Sequence, residues 1–149
     1  MTVRIVPAGE RHRADWDALY AGYAEFYRAA QTPEMRDRVW SWIRDPAHAT
    51  EALVAEDDAG RAVGLAHYRP FARPLSATTG GYLDDLFVAP HMRGARVADA
   101  LIAALAEEGR RRGWSVIRWQ TAETNYRARA MYDRVATLGP WRLYDIPLT

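Results

Sequence analysis

Apolar residues at Trp16, Leu19, Tyr20, Tyr23, Phe26 and Tyr27 recur at intervals of three and four, which predicts a helix over residues 10–29 with one face turned to a core. Before it, residues 2–6 alternate and stop at Pro7, the pattern of a short strand. Thr32-Pro33 is a helix start, since threonine caps and proline suits the first helical position. The stripe Val39, Trp40, Ile43 then predicts a second helix that stops at Asp45-Pro46. Residues 51–56 and 62–71 read as antiparallel strands joined by Asp57-Asp58-Ala59-Gly60. Residues 73–81, with Pro74, Gly80 and Gly81 among hydroxyl side chains, read as a mobile loop. Strand 82–88 follows, and then a helix with Val97, Leu101, Ala104 and Leu105 on one face, three arginines in its last turn and Gly113 as its stop. A strand over 114–120, a helix capped by Thr124 with the stripe Ala128, Met131, Tyr132 and Val135, and a last strand over 141–146 complete the chain. Strands and helices in this order predict one α/β (α+β) domain over residues 1–149, a mixed, mostly antiparallel sheet with helices on both faces.

Composition narrows the chemistry. All twenty basic side chains are arginine, so Schiff-base lysines and lysine-bearing phosphate loops are excluded. Cysteine is absent, which excludes disulfides, thiol nucleophiles and thiolate metal sites and fits a cytoplasmic protein. A net charge of +1 gives no global case for nucleic acid or for an anionic membrane. The longest apolar run, 100–106, is too short to span a bilayer. His12, His48, His67 and His91 lack metal-ligand spacing, and no metal is expected.

Candidate chemistry gathers between residues 82 and 132. Arg93 and Arg96 flank a turn at a helix start, where unpaired amides and the helix dipole already favour an anion, so phosphate is expected along 93–98. Asp84 and Asp85 are neighbours in a strand, and strict alternation sends them to opposite faces, so that only one lines a channel. Glu123 ends a strand where open sheets place ligand contacts. Glu25, within an aromatic stretch, reads equally as a solvated helix residue or as a wall of an acceptor site. Asn125 fits an ordinary helix start, and the spacing of Tyr132 alone makes it a core residue.

The run Val88-Ala89-Pro90-His91-Met92-Arg93-Gly94-Ala95-Arg96-Val97-Ala98, followed by Asn125, Ala128 and Tyr132, resembles the coenzyme A loop and the later Asn-x-x-Ala-x-x-x-Tyr segment of the GNAT N-acetyltransferases. Residues 82–88 and 123–125 look most like the polyamine (diamine) branch. The resemblance implies acetyl-coenzyme A as cosubstrate, with Arg93, Gly94, Ala95, Arg96, Val97 and Ala98 at its pyrophosphate and Leu86, Phe87, Val88 and Asn125 along its pantetheine arm. It implies that Tyr132 protonates the departing thiolate and that Asp84 accepts the amine proton, which leaves Asp85 as a hydrogen-bonded structural acid or as a holder of a small, cationic amine acceptor; Glu123 and Glu25, by their positions, are the other acids expected around that acceptor. Members of the family commonly form homodimers. One position departs from the loop pattern: Arg96 stands where the family has its first glycine, so the loop is expected to adopt a backbone angle that a residue with a Cβ tolerates. A non-catalytic acyl-coenzyme A-binding module on the same fold is the rival reading, and an RNA-binding domain is disfavoured by the near-zero net charge.

Overall fold

The computed structural model describes residues 2–149. Five strands form one sheet in the order β1 (Arg4–Pro7), β2 (Glu51–Glu56), β3 (Ala62–Arg73), β4 (Thr78–Val88) and β5 (Ile117–Arg118). Every pairing is antiparallel except β4 with β5. Side chains alternate along β3, so Leu65 and His67 point to one face, and Gly64 and Tyr68 to the other. Helix α1 (Arg13–Phe26) covers the first face, where Trp16 packs on His67. Helix α3 (Val97–Arg112) covers the second, so close that a Cβ on Gly64 would lie 3.0 Å from Val97. Helix α2 (Pro33–Arg44) lies beside α1, with Trp40 against Trp16, and α4 (Tyr126–Val135) follows β5. Trp16, Leu65, Leu101 and Leu105 are fully buried between these layers, each contributing roughly 1.5–3 kcal/mol by burial.

Local chemistry explains most boundaries. Thr32 Oγ1 accepts from the Met35 amide at 3.2 Å, the cap its sequence predicted. The predicted 10–29 helix is shorter at both ends. Residues 10–12 form a separate 3-10 turn. At the other end Arg28 turns left-handed (φ 53°) while the amides of Arg28 and Ala29 bond back to Glu25 and Ala24, a Schellman closure. Asn125, rather than Thr124, caps α4 by accepting from the Ala128 amide at 3.4 Å.

Three expectations fail on long-range packing. The predicted mobile loop over 73–81 is mostly strand, because β3 and β4 pair out to Arg73 and Thr78. Gly80 and Gly81 are strand residues under aromatic rings: a Cβ on Gly81 would meet Trp114 at 2.5 Å, and one on Gly80 would meet Phe71 at 2.8 Å. The strand predicted over 114–120 shrinks to Ile117–Arg118. The strand predicted over 141–146 does not form, and Trp141, Leu143, Tyr144, Ile146 and Leu148 project into solvent.

Buried acid also ties the termini of the sheet. Glu56 on β2 is sequestered and bonded by Arg4, Arg11 and His12. Those hydrogen bonds hold its carboxyl far below the usual carboxylate range.

Candidate active site

The site is organised by a bulge in β4. His67 pairs with Asp85 and Tyr68 with Leu83, so Asp84 is an extra residue without a partner on β3. The insertion breaks the alternation that would have sent Asp84 and Asp85 to opposite faces. Both acids end on the α1 side: Asp85 bonds Tyr20 of α1, and Asp84 lines a cleft with Tyr23 and Tyr27 at the end of the same helix. A bulge also bends and twists its strand, and β4 parts from β5 just before it, after the pairs Gly81–Ile117 and Tyr82–Arg118. From Leu83 to Val88 the outer edge of β4 therefore has no strand partner among the described residues, while Leu86, Phe87 and Val88 pair with β3 on their inner edge. An open strand edge beside a cleft is a place where an extended amide-bearing ligand can add as a strand.

The lining of the cleft in this gap includes Tyr23, Tyr27, Asp84, Leu86, Trp119 and Tyr132, together with Gln120 and Thr121. Tyr132 is half-buried and meets Trp119 edge-on at 5.4 Å. Burial pushes its phenol up to about 12, so it keeps its proton at neutral pH. Asp84 is raised by burial, against the opposing pull of Arg69, whose Nε lies 3.1 Å from Oδ2.

Asp85 lies in a closed network. His67 Nδ1 is 2.8 Å from its Oδ2, and the Tyr20 hydroxyl donates to the same oxygen at 2.9 Å. The Trp16 indole donates to His67 Nε2 at 2.8 Å. An indole N–H only donates, so Nε2 must offer a lone pair and the ring proton must sit on Nδ1, facing Asp85. His67 is thereby locked in one neutral tautomer. Burial raises the Asp85 carboxyl, but the hydrogen bonds from His67, Tyr20 and Tyr23 outweigh it and hold the group below its ordinary range. The same burial and the neighbouring carboxylate push the Tyr20 and Tyr23 phenols well above theirs.

At the far end of β4 the anion loop takes shape. Arg93 is extended, Gly94 has φ 86°, and Arg96 caps α3 from the left-handed region at φ 58°. The expected accommodation to a side chain does not occur: Arg96 keeps a conformation that favours glycine. Among the described residues the amides of Val97, Ala98 and Asp99 have no backbone acceptor, and the first bond of the helix runs from Ala100 to Arg96. Ala95 is half-buried and Val97 buried below them, whereas Arg93 and Arg96 are exposed. Free amides, a helix N-terminus and two exposed cations suit a pyrophosphate. A left-handed non-glycine residue costs about 1–2 kcal/mol, of which glycine would return about 0.5–1 as chain entropy. Arg96→Gly is therefore expected to stabilise the fold by about 0.5–1 kcal/mol in thermal denaturation, while weakening coenzyme binding. A loss of stability would show that the Arg96 side chain makes contacts worth more than the strain.

Not every predicted residue joins the cleft. Asn125 caps α4 through its Oδ1, which accepts from the Ala128 amide, and does not line the cleft. Glu123 is exposed in the turn before α4, and Glu25 is exposed on α1. Neither lines the cleft. Conversely, Tyr23, Tyr27 and Trp119 line it, and Tyr20, His67 and Trp16 stand behind it, none of them assigned from sequence. The aromatic run after Leu19 was the available signal for the tyrosines. For His67 there was none, because its partners lie 51 and 18 residues away.

A strand edge opened by a bulge, an anion loop at the end of that strand and a half-buried phenol in the cleft beside the edge suit a transferase that takes an acyl-coenzyme A. The profile of the Acetyltransferase (GNAT) family matches residues 16–136, and the chain belongs to that family. It is thus an acyltransferase, using acetyl-coenzyme A. It is 27% identical over 122 residues to the D-amino-acid N-acetyltransferase HPA3 of Saccharomyces cerevisiae, covering 81% of this chain and 76% of that protein. The structure of a ribosomal-protein-alanine N-acetyltransferase from Brucella melitensis biovar Abortus 2308 superposes with a TM-score of 0.83 at 26% identity, over 99% of this chain and 100% of that one. The aminoglycoside N-acetyltransferase AAC(6')-Iy in complex with CoA shares the fold, with a TM-score of 0.83 at 19% identity over 98% of this chain and 94% of that one. The polyamine branch suggested by residues 82–88 finds no support among these relatives, whose names point to other acceptors.

Proposed function

We propose that the protein acetylates a primary amine of a small acceptor by direct attack, without a covalent enzyme intermediate. The observation that carries this reading is the cleft itself, which is lined by both Asp84 and Tyr132 beside the open edge of β4. Acetyl-coenzyme A supplies the acetyl thioester. Main-chain groups of Leu86, Phe87 and Val88 would hold its arm, and residues 93–98 its pyrophosphate. An alkylammonium has no lone pair, and with a pKa near 10.4 only about one molecule in 2,500 is free amine at neutral pH. Asp84, raised by burial and open to solvent, takes that proton directly or through a water. Tyr132, still protonated at neutral pH, gives its proton to the sulfur as the thiol departs. Asp85 is unsuited to either task, because His67 and Tyr20 both engage its Oδ2 and hold the carboxylate in place.

Two measurements test the reading. Saturating acetyl-coenzyme A at a hundred times its dissociation constant stabilises the fold by about 2.7 kcal/mol, a rise of roughly 5–10 °C in Tm for a chain of this size. Arg93→Ala is expected to shrink that rise. Thiol release with a panel of primary amines then separates a transferase from a coenzyme-binding module, which would show the thermal shift alone.

The unpaired tail supports a homodimer. Five large apolar side chains, Trp141, Leu143, Tyr144, Ile146 and Leu148, stand 64–90% exposed. Two such tails exchanged between copies would cover on the order of 1,500 Å², close to a standard interface. Sedimentation is expected to give a dimer for the whole chain and a monomer for residues 1–139; a monomeric whole chain would overturn this assembly.

A further inference from the structure

The N-terminal half of β4 carries a feature that acetyl transfer alone does not use. Arg69 on β3, Tyr82 on β4 and Arg118 on β5 are register partners in a row across three strands. Residues paired directly across strands project from the same face, so the sheet sets two guanidinium groups on either side of one tyrosine. Arg69 lies over the Tyr82 ring, 4.8 Å from its centroid, and Arg118 over Phe71 at 5.4 Å. The two rings meet edge-on at 5.8 Å, and the Tyr82 hydroxyl donates to Gln120 Oε1 at 2.7 Å, which fixes the ring. Stacking on fixed rings orients both guanidinium forks, so little side-chain freedom is left to lose when an anion binds. Their donors are largely unused. Arg69 spends only Nε, on Asp84, and Arg118 makes no ion pair or hydrogen bond among the described residues.

Position gives the row its meaning. From Tyr82, β4 runs through Asp84 and Leu86 towards the coenzyme loop at 93–98. Gln120, two residues beyond Arg118, lines the same cleft as Asp84. Tyr82 precedes Asp84 by two residues, on the side away from the pyrophosphate loop, and Arg69 already reaches the acid, its Nε 3.1 Å from Oδ2, so the row begins at the acid and extends away from the coenzyme loop. An acceptor whose ammonium sits against Asp84 and whose far end turns away from the coenzyme meets two arginines there. We propose that Arg69 and Arg118 form a carboxylate site, and that the acceptor is a small amino acid bound as a zwitterion, ammonium to Asp84 and carboxylate to the two guanidinium groups. This rests on the acetyl-transfer reading above. The charges oppose a polyamine, whose second ammonium would arrive at two cations. The acids that would have drawn it, Asp85 and Glu123, are respectively committed to His67 and exposed outside the cleft.

Thiol release is measured with D- and L-α-amino acids and 4-aminobutyrate, each against its amide, and with ethylamine and putrescine. The best carboxylate-bearing acceptor is expected to exceed its amide at least tenfold in kcat/KM, and putrescine to gain nothing over ethylamine. Arg118→Gln is expected to lower kcat/KM for that acceptor about tenfold, mainly through KM, bringing acid and amide towards parity. Independently of turnover, the same amino acid should raise the Tm of the protein–coenzyme A complex, and Arg118→Gln should abolish that rise. Equal rates for acids, amides and plain amines would overturn the carboxylate site while leaving acetyl transfer in place, as would Arg118→Gln without effect on the acid. Absence of turnover and of thermal protection with every carboxylate acceptor overturns it too. If acetyl-coenzyme A itself gives no thermal shift and no amine releases thiol, the acetyl-transfer reading falls as well.

Discussion

Tyr132→Phe is expected to lower turnover by about a hundredfold or more, the usual loss when a general acid is removed, while leaving Tm and coenzyme binding almost unchanged. The ring keeps its edge-on contact with Trp119, and only the hydroxyl is lost. No described residue hydrogen-bonds that hydroxyl, so its removal orphans no partner. A core tyrosine would give the opposite pattern, unchanged turnover with some loss of stability. The readout is kcat under saturating acetyl-coenzyme A alongside a melting curve. As the acid is present up to its pKa of about 12, the wild-type rate is expected to show no loss from this group through the alkaline range in which acceptor amines become free.

The second large effect concerns stability. Asp85→Ala leaves the Nδ1–H of His67 and the hydroxyl of Tyr20 facing an emptied site, and His67 cannot turn away because Trp16 holds its other nitrogen. Each of these two buried donors left without a partner costs about 1–3 kcal/mol. A loss of about 3–5 kcal/mol is expected, of the order of 10 °C or more in Tm for a chain of this length. Asp85→Asn, which keeps shape and one acceptor, is expected to lose less. The sign of the pH dependence follows from the lowered carboxyl. Its contribution is complete above the ordinary carboxylate pKa near 4 and fades as the pH falls through the lower folded value. Stability of the wild type should therefore decline on acidification below about pH 4, and Asp85→Asn should flatten that part of the curve. Chemical denaturation across pH 2–7 measures both, and a variant as acid-sensitive as the wild type would remove Asp85 from the account.

Features governed by neighbours in the chain were legible in the sequence. The cap at Thr32, the helix periodicities, the turn at 57–60, the stop at Gly113 and the anion loop at 93–98 depend on spacings of a few residues, and those spacings are written in the chain. Family resemblance rested on the same local run, and the family is the right one. Tyr132 was picked from the later Asn-x-x-Ala-x-x-x-Tyr segment and Asp84 from the match of residues 82–88 to the polyamine branch, and the fold brings both to one cleft although that branch finds no support.

Tertiary structure decided the rest, because the deciding contacts join residues far apart in sequence. Strict alternation separates Asp84 from Asp85, and only the pairing of β4 with β3 shows the bulge that returns both to one face. His67 had no signal of its own: Trp16 and Asp85, which fix its tautomer and its role, come from a helix and another strand. Gly80 and Gly81 read as a loop until the rings of Phe71 and Trp114 show why no side chain fits there. Arg69 and Arg118, 49 positions apart, become one site only because both lie beside Tyr82 in the sheet. Local sequence thus determined the helices, their ends and the loop at 93–98, whose features depend on near neighbours. Strand register, a property of three segments together, decided that both acids face α1 and that Arg69, Tyr82 and Arg118 lie in one row.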